Sequence, residues 1–120
     1  MKLSEREWKV LHALWNTGGA ELGCLVEELY AETGWSRNTV LTYLTRMEGK
    51  GLVRIEKEVF PHRYYAVMDR ECCQKQELQN LVQHVYSGSA GDLIAAFLKE
   101  EPISSAEKER LRRLLDEMEV

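Results

Sequence analysis

In the stretch Trp35 to Gly51, WSRNTVLTYLTRMEGKG, the residues Arg37, Asn38, Thr39, Thr42 and Arg46 fall together on the polar side of a helical repeat. Arginine can donate bidentately to guanine, asparagine can pair with adenine, and a threonine methyl or hydroxyl can meet thymine or phosphate. Such a face carries the groups needed to read base edges in a major groove. The other side is apolar, with Val40, Leu44 and Met47 at i, i+4 and i+7. Ser36 supplies an N-cap hydroxyl, and Lys50 and Gly51 close the stretch where a left-handed residue is easily placed. The pattern predicts a helix over 36–50. A solvated amphipathic helix has the same pattern, so its neighbours decide what the polar face is for.

Those neighbours begin with Ser4 and Glu7, a capping box, followed by Trp8, Leu11, Leu14 and Trp15 at helical spacing until Thr17, Gly18 and Gly19. A first helix is expected over 5–16. A second, over 21–33, carries Leu22, Leu25, Val26 and Leu29 and stops at Gly34, so only a few residues separate it from the third. That is helix-turn-helix spacing. LVRIEKE (52–58) and HRYYAV (62–67) then read as two β-strands around Val59, Phe60 and Pro61. Three helices followed by a hairpin predict a winged helix-turn-helix domain over 1–68, with Arg54 and Arg63 of the hairpin touching phosphates.

From Asp69 onward the pattern is helical throughout. Asp69 can cap a helix over 70–86 with Leu78, Leu81, Val82 and Val85 on one stripe. Leu93, Ile94, Phe97 and Leu98 form a short apolar helix ended by Pro102, and Ser104 with Glu107 opens a last helix bearing Leu111, Leu114, Leu115 and Met118. Three helices in about 50 residues enclose little core by themselves, so these stripes are expected to meet a second copy of the chain. The fold class expected is mainly α with a small β-hairpin, a winged domain at 1–68 and a helical dimerisation domain at 69–120. A twofold dimer would set two reading helices in successive major grooves of a palindromic site.

Charge agrees with this division. The chain of 120 residues carries a net charge of −4, which alone argues against a polyanion as partner. Yet residues 1–68 are balanced, with nine Lys or Arg against nine Asp or Glu, and the excess acid lies in 69–120. Between Ser36 and Arg63 six basic residues (Arg37, Arg46, Lys50, Arg54, Lys57, Arg63) face three acidic ones, enough for a modest and salt-sensitive positive patch. Met1 to Lys9 has no apolar leader and the apolar run Leu93–Leu98 is too short to span a bilayer, so a cytoplasmic protein without membrane insertion is expected. Three cysteines, two of them adjacent, suit reduced thiols in such a compartment.

Several of these segments together resemble the penicillinase and methicillin-resistance repressors, a winged-helix family that includes copper-responsive members. The resemblance rests on LSEREWKVLHALW, WSRNTVLTYLTRMEGKGLV, RYYAV followed by DRE, SGSAGDLIAAFL and ISSAEKERLRRLLDE, and covers nearly the whole chain. It implies a dimeric transcriptional repressor binding an operator in double-stranded DNA. Thr39 and Thr42 match threonines that contact DNA, and Arg46 matches an arginine that contacts the backbone. Asn38 stands where lysine is usual, Arg37 where proline is common, and Phe60, Pro61 and His62 replace a Gly-Arg wing tip. In antibiotic-responsive members a membrane sensor protease triggers cleavage of an Asn-Phe bond in the dimerisation lobe. The corresponding bond here is Ala96–Phe97, with alanine in place of the asparagine, and Phe97 more simply suits plain interface core.

Other readings have less behind them. Copper-responsive relatives carry Cys-x-Cys pairs near the C-terminus, and here no cysteine follows Cys73. Metal or redox sensing through Cys72 and Cys73 is a further alternative, but His84 lies about 17 Å away along the same helix at ~1.5 Å per residue, so a metal site with it could be closed only by the other protomer. An enzyme is not expected. There is no glycine-rich phosphate loop, no zinc-protease motif, no Ser-His-Asp arrangement and no cofactor motif, and His12 reads as a packed or surface side chain. A winged helix used only to bind another protein stays open, because fold does not dictate function.

Overall fold

Ser4 Oγ accepts from the Glu7 N–H and the Glu7 carboxylate accepts from the Ser4 N–H, so α1 (Glu5–Thr17) starts on a complete capping box. The computed structural model that shows this describes residues 2–100 and 102–118. Gly18 ends α1 in the left-handed conformation, and Gly19 follows with φ 96°. A Cβ on Gly19 would lie 2.2 Å from the Tyr65 ring, so both the backbone angle and the packing require glycine there. Next come β1 (Ala20–Glu21), α2 (Leu22–Thr33) and α3 (Arg37–Gly49). Gly34 closes α2 in the left-handed region, and Ser36 Oγ caps α3 by accepting from the Thr39 N–H at 3.2 Å.

The wing differs from the simple hairpin expected. β2 (Val53–Glu56) and β3 (Arg63–Ala66) pair antiparallel as predicted, but β1 adds to the free side of β3, giving a three-stranded sheet in the order β1-β3-β2. Glu21 of β1 and Glu56 of β2 both stand opposite Arg63, so a cation sits between two carboxylates across the sheet. The apolar stripes of the three helices meet the sheet's inner face. Val40, Leu44 and Met47 of α3 are fully buried among Val10, Leu14, Leu25 and Val53. This is a winged helix, mainly α with a small sheet, and among the described residues no buried side-chain polar atom lacks a hydrogen-bond partner.

Three more helices follow, α4 (Arg70–Val85), α5 (Ala90–Glu100) and α6 (Ser105–Glu117). Asp69 caps α4 by accepting from the Cys72 N–H at 2.8 Å, Ser89 accepts from Asp92, and Ser104 accepts from Glu107. The chain separates into two compact units, Met1–Lys75 and Gln76–Val120, so the first turn of α4 belongs with the winged unit. Within that unit the Trp15 indole donates to the Met68 carbonyl, Arg70 donates to Asn16, and the Arg70 guanidinium lies over the Trp15 ring. The second unit is built differently. None of its described side chains is fully buried, and Leu78, Ile94, Phe97, Leu114, Leu115 and Met118 are each about half exposed or more.

Candidate nucleic-acid interface

Burying Val40, Leu44 and Met47 turns the opposite side of α3 outward. Asn38, Thr42 and Arg46 are exposed on the outward side of α3 with Thr39 half-buried beside them, whereas Arg37, also exposed, turns toward Gly23 at the start of α2. Their hydroxyls are ordered locally. Thr42 Oγ1 donates to the Asn38 carbonyl at 2.8 Å, and the Thr39 and Ser36 hydroxyls lie 3.1 Å apart. These bonds tie the two threonine hydroxyls to the helix's own cap and backbone. The helix itself is held by Tyr43, whose ring stacks on Trp35 at 5.0 Å and whose hydroxyl accepts from Arg6 at 2.7 Å.

The six basic residues from Arg37 to Arg63 divide into two sets. Lys50 pairs with the buried Glu7 at 2.7 Å, and Lys57 pairs with Glu48 at 3.4 Å. Arg63 donates to the Tyr65 hydroxyl and the Gly19 carbonyl, each at 3.2 Å, bracing the sheet against the α1–β1 turn. Arg37, Arg46 and Arg54 have no carboxylate partner among the described residues. Arg54 lies over the Tyr65 ring at 4.4 Å, and Arg46 lies 6.0 Å from the Tyr43 centroid. Cations supported by aromatic faces and free of counter-charges are open to phosphate. Arg37 reaches back over Gly23, and with Glu21, Phe60, Pro61 and His62 it lines a cleft of about 300 Å³ between α3, the start of α2 and the wing.

Lys50 and Lys57 look like free charge in the sequence because their partners, Glu7 and Glu48, lie in other elements. Phe60 shows there only as a residue between two strand runs, and the structure leaves its side chain almost wholly exposed.

Elsewhere the predicted residues are less concentrated. Among the described residues no three His, Cys, Asp or Glu side chains come together as a metal site. Cys72 is exposed and hydrogen-bonded to Asp69, which pushes its thiol pKa up and disfavours the reactive thiolate. The Ala96–Phe97 bond lies inside α5, with Ala96 half-buried and Phe97 52% exposed. No described helix is long and apolar enough to cross a membrane.

Three helices, the third presenting a polar face beside a small sheet, define a winged helix-turn-helix module, a class built to present one helix outward. Residues 3–117 match the penicillinase repressor family, and the chain belongs to that family of transcriptional repressors. It is 28% identical to the methicillin resistance regulatory protein MecI of Mammaliicoccus sciuri, over 96% of this chain and 94% of that protein. The penicillinase repressors of Bacillus licheniformis and Staphylococcus aureus are 23% and 22% identical, over 97% and 98% of this chain and 91% and 94% of theirs.

Proposed function

We propose that this repressor binds a twofold-symmetric DNA operator as a homodimer, with α3 of each protomer in a major groove. The observation that carries the reading is the exposed set Arg37, Asn38, Thr42 and Arg46 on a helix whose other face is fully buried. Asn38 and Thr42 read base edges, Thr39 and Arg46 hold the sugar-phosphate backbone, and Arg37 lies at the groove edge. Arg54 contacts phosphate from the wing, and Arg63 adds its remaining N–H donors while bracing the sheet. Dimerisation is supported by the second unit, whose apolar residues on α4, α5 and α6 have no core of their own to fill. Leu81, Val82, Val85, Leu93, Leu98 and Leu111 complete that surface.

Selecting bound sequences from a random duplex pool, then titrating the selected site at several salt concentrations, tests this directly. The expected outcome is a palindromic motif. Three unpaired arginines per protomer predict a log-log salt slope of about −5 for the dimer. Binding without any enriched motif would overturn the reading in favour of a protein-interaction module. Release by cleavage at Ala96–Phe97 fits the same scheme, since it would cut α5 within the dimer surface. Incubation with a cognate sensor protease should then give a fragment of about 96 residues, and an intact chain would sink that part alone.

A further inference from the structure

At 93% exposure, Phe60 is the most exposed large apolar side chain among the described residues. Its ring neighbour is His62, edge-on at 6.1 Å between centroids, and Val59 beside it is also exposed. Pro61 has no N–H. The tip of the β2–β3 loop therefore offers hydrocarbon where a phosphate contact needs donors. Yet the same tip lines the cleft whose other wall carries Arg37, the first residue of α3. A duplex lying on α3 has to run past it. Charge around the tip nearly cancels, because Lys57 offsets Glu48 while Arg37 and Arg63 stand against Glu21, Glu56 and Glu58, which leaves one negative charge and no strong repulsion of a duplex. The apolar surfaces a duplex can offer are its sugars and, where a step is opened, its base faces.

We propose that Phe60 is a wedge that enters the minor groove beside the segment read by α3 and partly unstacks one base step in each half-site. The inference rests on the DNA-binding reading above. Inserted apolar side chains act this way in architectural DNA-binding proteins, and the step that opens most easily is a pyrimidine–purine one, TA or CA/TG. The wedge thus adds sequence preference at a position that no polar side chain touches. It also kinks the duplex.

The test uses the full chain and its selected operator, with 2-aminopurine replacing adenine in turn at each step flanking the major-groove segment. Fluorescence should rise at one step per half-site with the wild type and with Phe60→Leu, and not with Phe60→Ala. The alanine variant should bind about tenfold more weakly, the scale of one mismatched base pair, and lose its preference for TA over GC at that step. Since Phe60 is almost wholly exposed, an unchanged melting temperature certifies the variant's fold. A bound wild-type protein that brightens no step, or a Phe60→Ala variant that binds and discriminates like the wild type, overturns the wedge while leaving the operator reading intact. If the wild type selects no motif and Arg46→Ala changes nothing, the operator reading itself falls and the wedge with it.

Discussion

Thr42 gives its hydroxyl hydrogen to the Asn38 carbonyl, so in the proposed complex its methyl group and oxygen lone pairs are what it has left to offer DNA. Thr42→Val keeps the methyl and removes the acceptor, whereas Thr42→Ala removes both. If the contact is to a thymine methyl, valine should bind close to wild type and alanine should lose about 1–3 kcal/mol on the selected site. Asn38→Ala should lose a similar amount and relax specificity at one base pair. Arg46→Ala should instead weaken all sequences alike and flatten the salt slope by about 1. Competition between matched and single-mismatch operators separates the two behaviours. The arginines of the wing make a second contrast. Arg54→Ala should weaken binding at unchanged melting temperature, because Arg54 only lies over Tyr65. Arg63→Ala should lower both, because its guanidinium also ties β3 to Tyr65 and Gly19. Thermal melts beside salt titrations of the two variants check this. The candidate reading residues were legible because side-chain type and helical spacing are local properties. The engagement of Arg63 with Gly19, 44 residues away, was not.

Between elements, Glu7 is the joint that ties α1 to the end of α3. Its carboxylate completes the α1 cap through Ser4 and accepts from Lys50, which caps the end of α3. The Lys50 hydrogen bond, aided by the Ser4 N–H, holds the Glu7 pKa below the ordinary carboxylate value. A depressed folded-state pKa means stability that is fully present above the unfolded value, near 4.5, and is lost as pH falls through the folded one. Glu7→Gln removes that charge, so its melting temperature should be lower than wild type at neutral pH and the gap should close as pH falls below 4.5 and through the depressed folded-state value. A gap that stays constant with pH would contradict the ion pair as its source. The box itself, Ser4 with Glu7, could be read from sequence, as could the three helices of the wing domain to within a residue or so of their ends. Lys50 could not be assigned to Glu7, because the two stand 43 positions apart. The two-residue β1 was invisible for a related reason. It is too short to show alternation and exists only because β3 offers it a free edge. α5 runs from Ala90, ahead of its first large apolar residue Leu93, because the Ser89 hydroxyl accepts from the Asp92 N–H and caps the helix there.

At the scale of the whole molecule, the exposed apolar residues of the second unit set the next prediction. Leu114 is 49% and Leu115 65% exposed, so replacing Leu115 by glutamate costs the monomer's own packing little, and replacing Leu114 somewhat more. In a dimer held by this surface, a charge introduced there would be desolvated without a partner, at a cost of several kcal/mol per protomer. Leu114→Glu and Leu115→Glu should therefore shift sedimentation from dimer to monomer, while the winged unit, whose core lies in α1, α2, α3 and the sheet, keeps its fold. Binding should respond to symmetry. Two half-site contacts in one dimer reinforce each other through effective concentration, so the monomeric variant should lose affinity for the full palindrome by about 10²-fold or more. Its affinity for a single half-site should be nearly unchanged, and still sensitive to Thr42→Ala. If Leu115→Glu sediments as a dimer and binds the palindrome like the wild type, α6 lies outside the interface and the exposed apolar residues of α4 and α5 must carry the association.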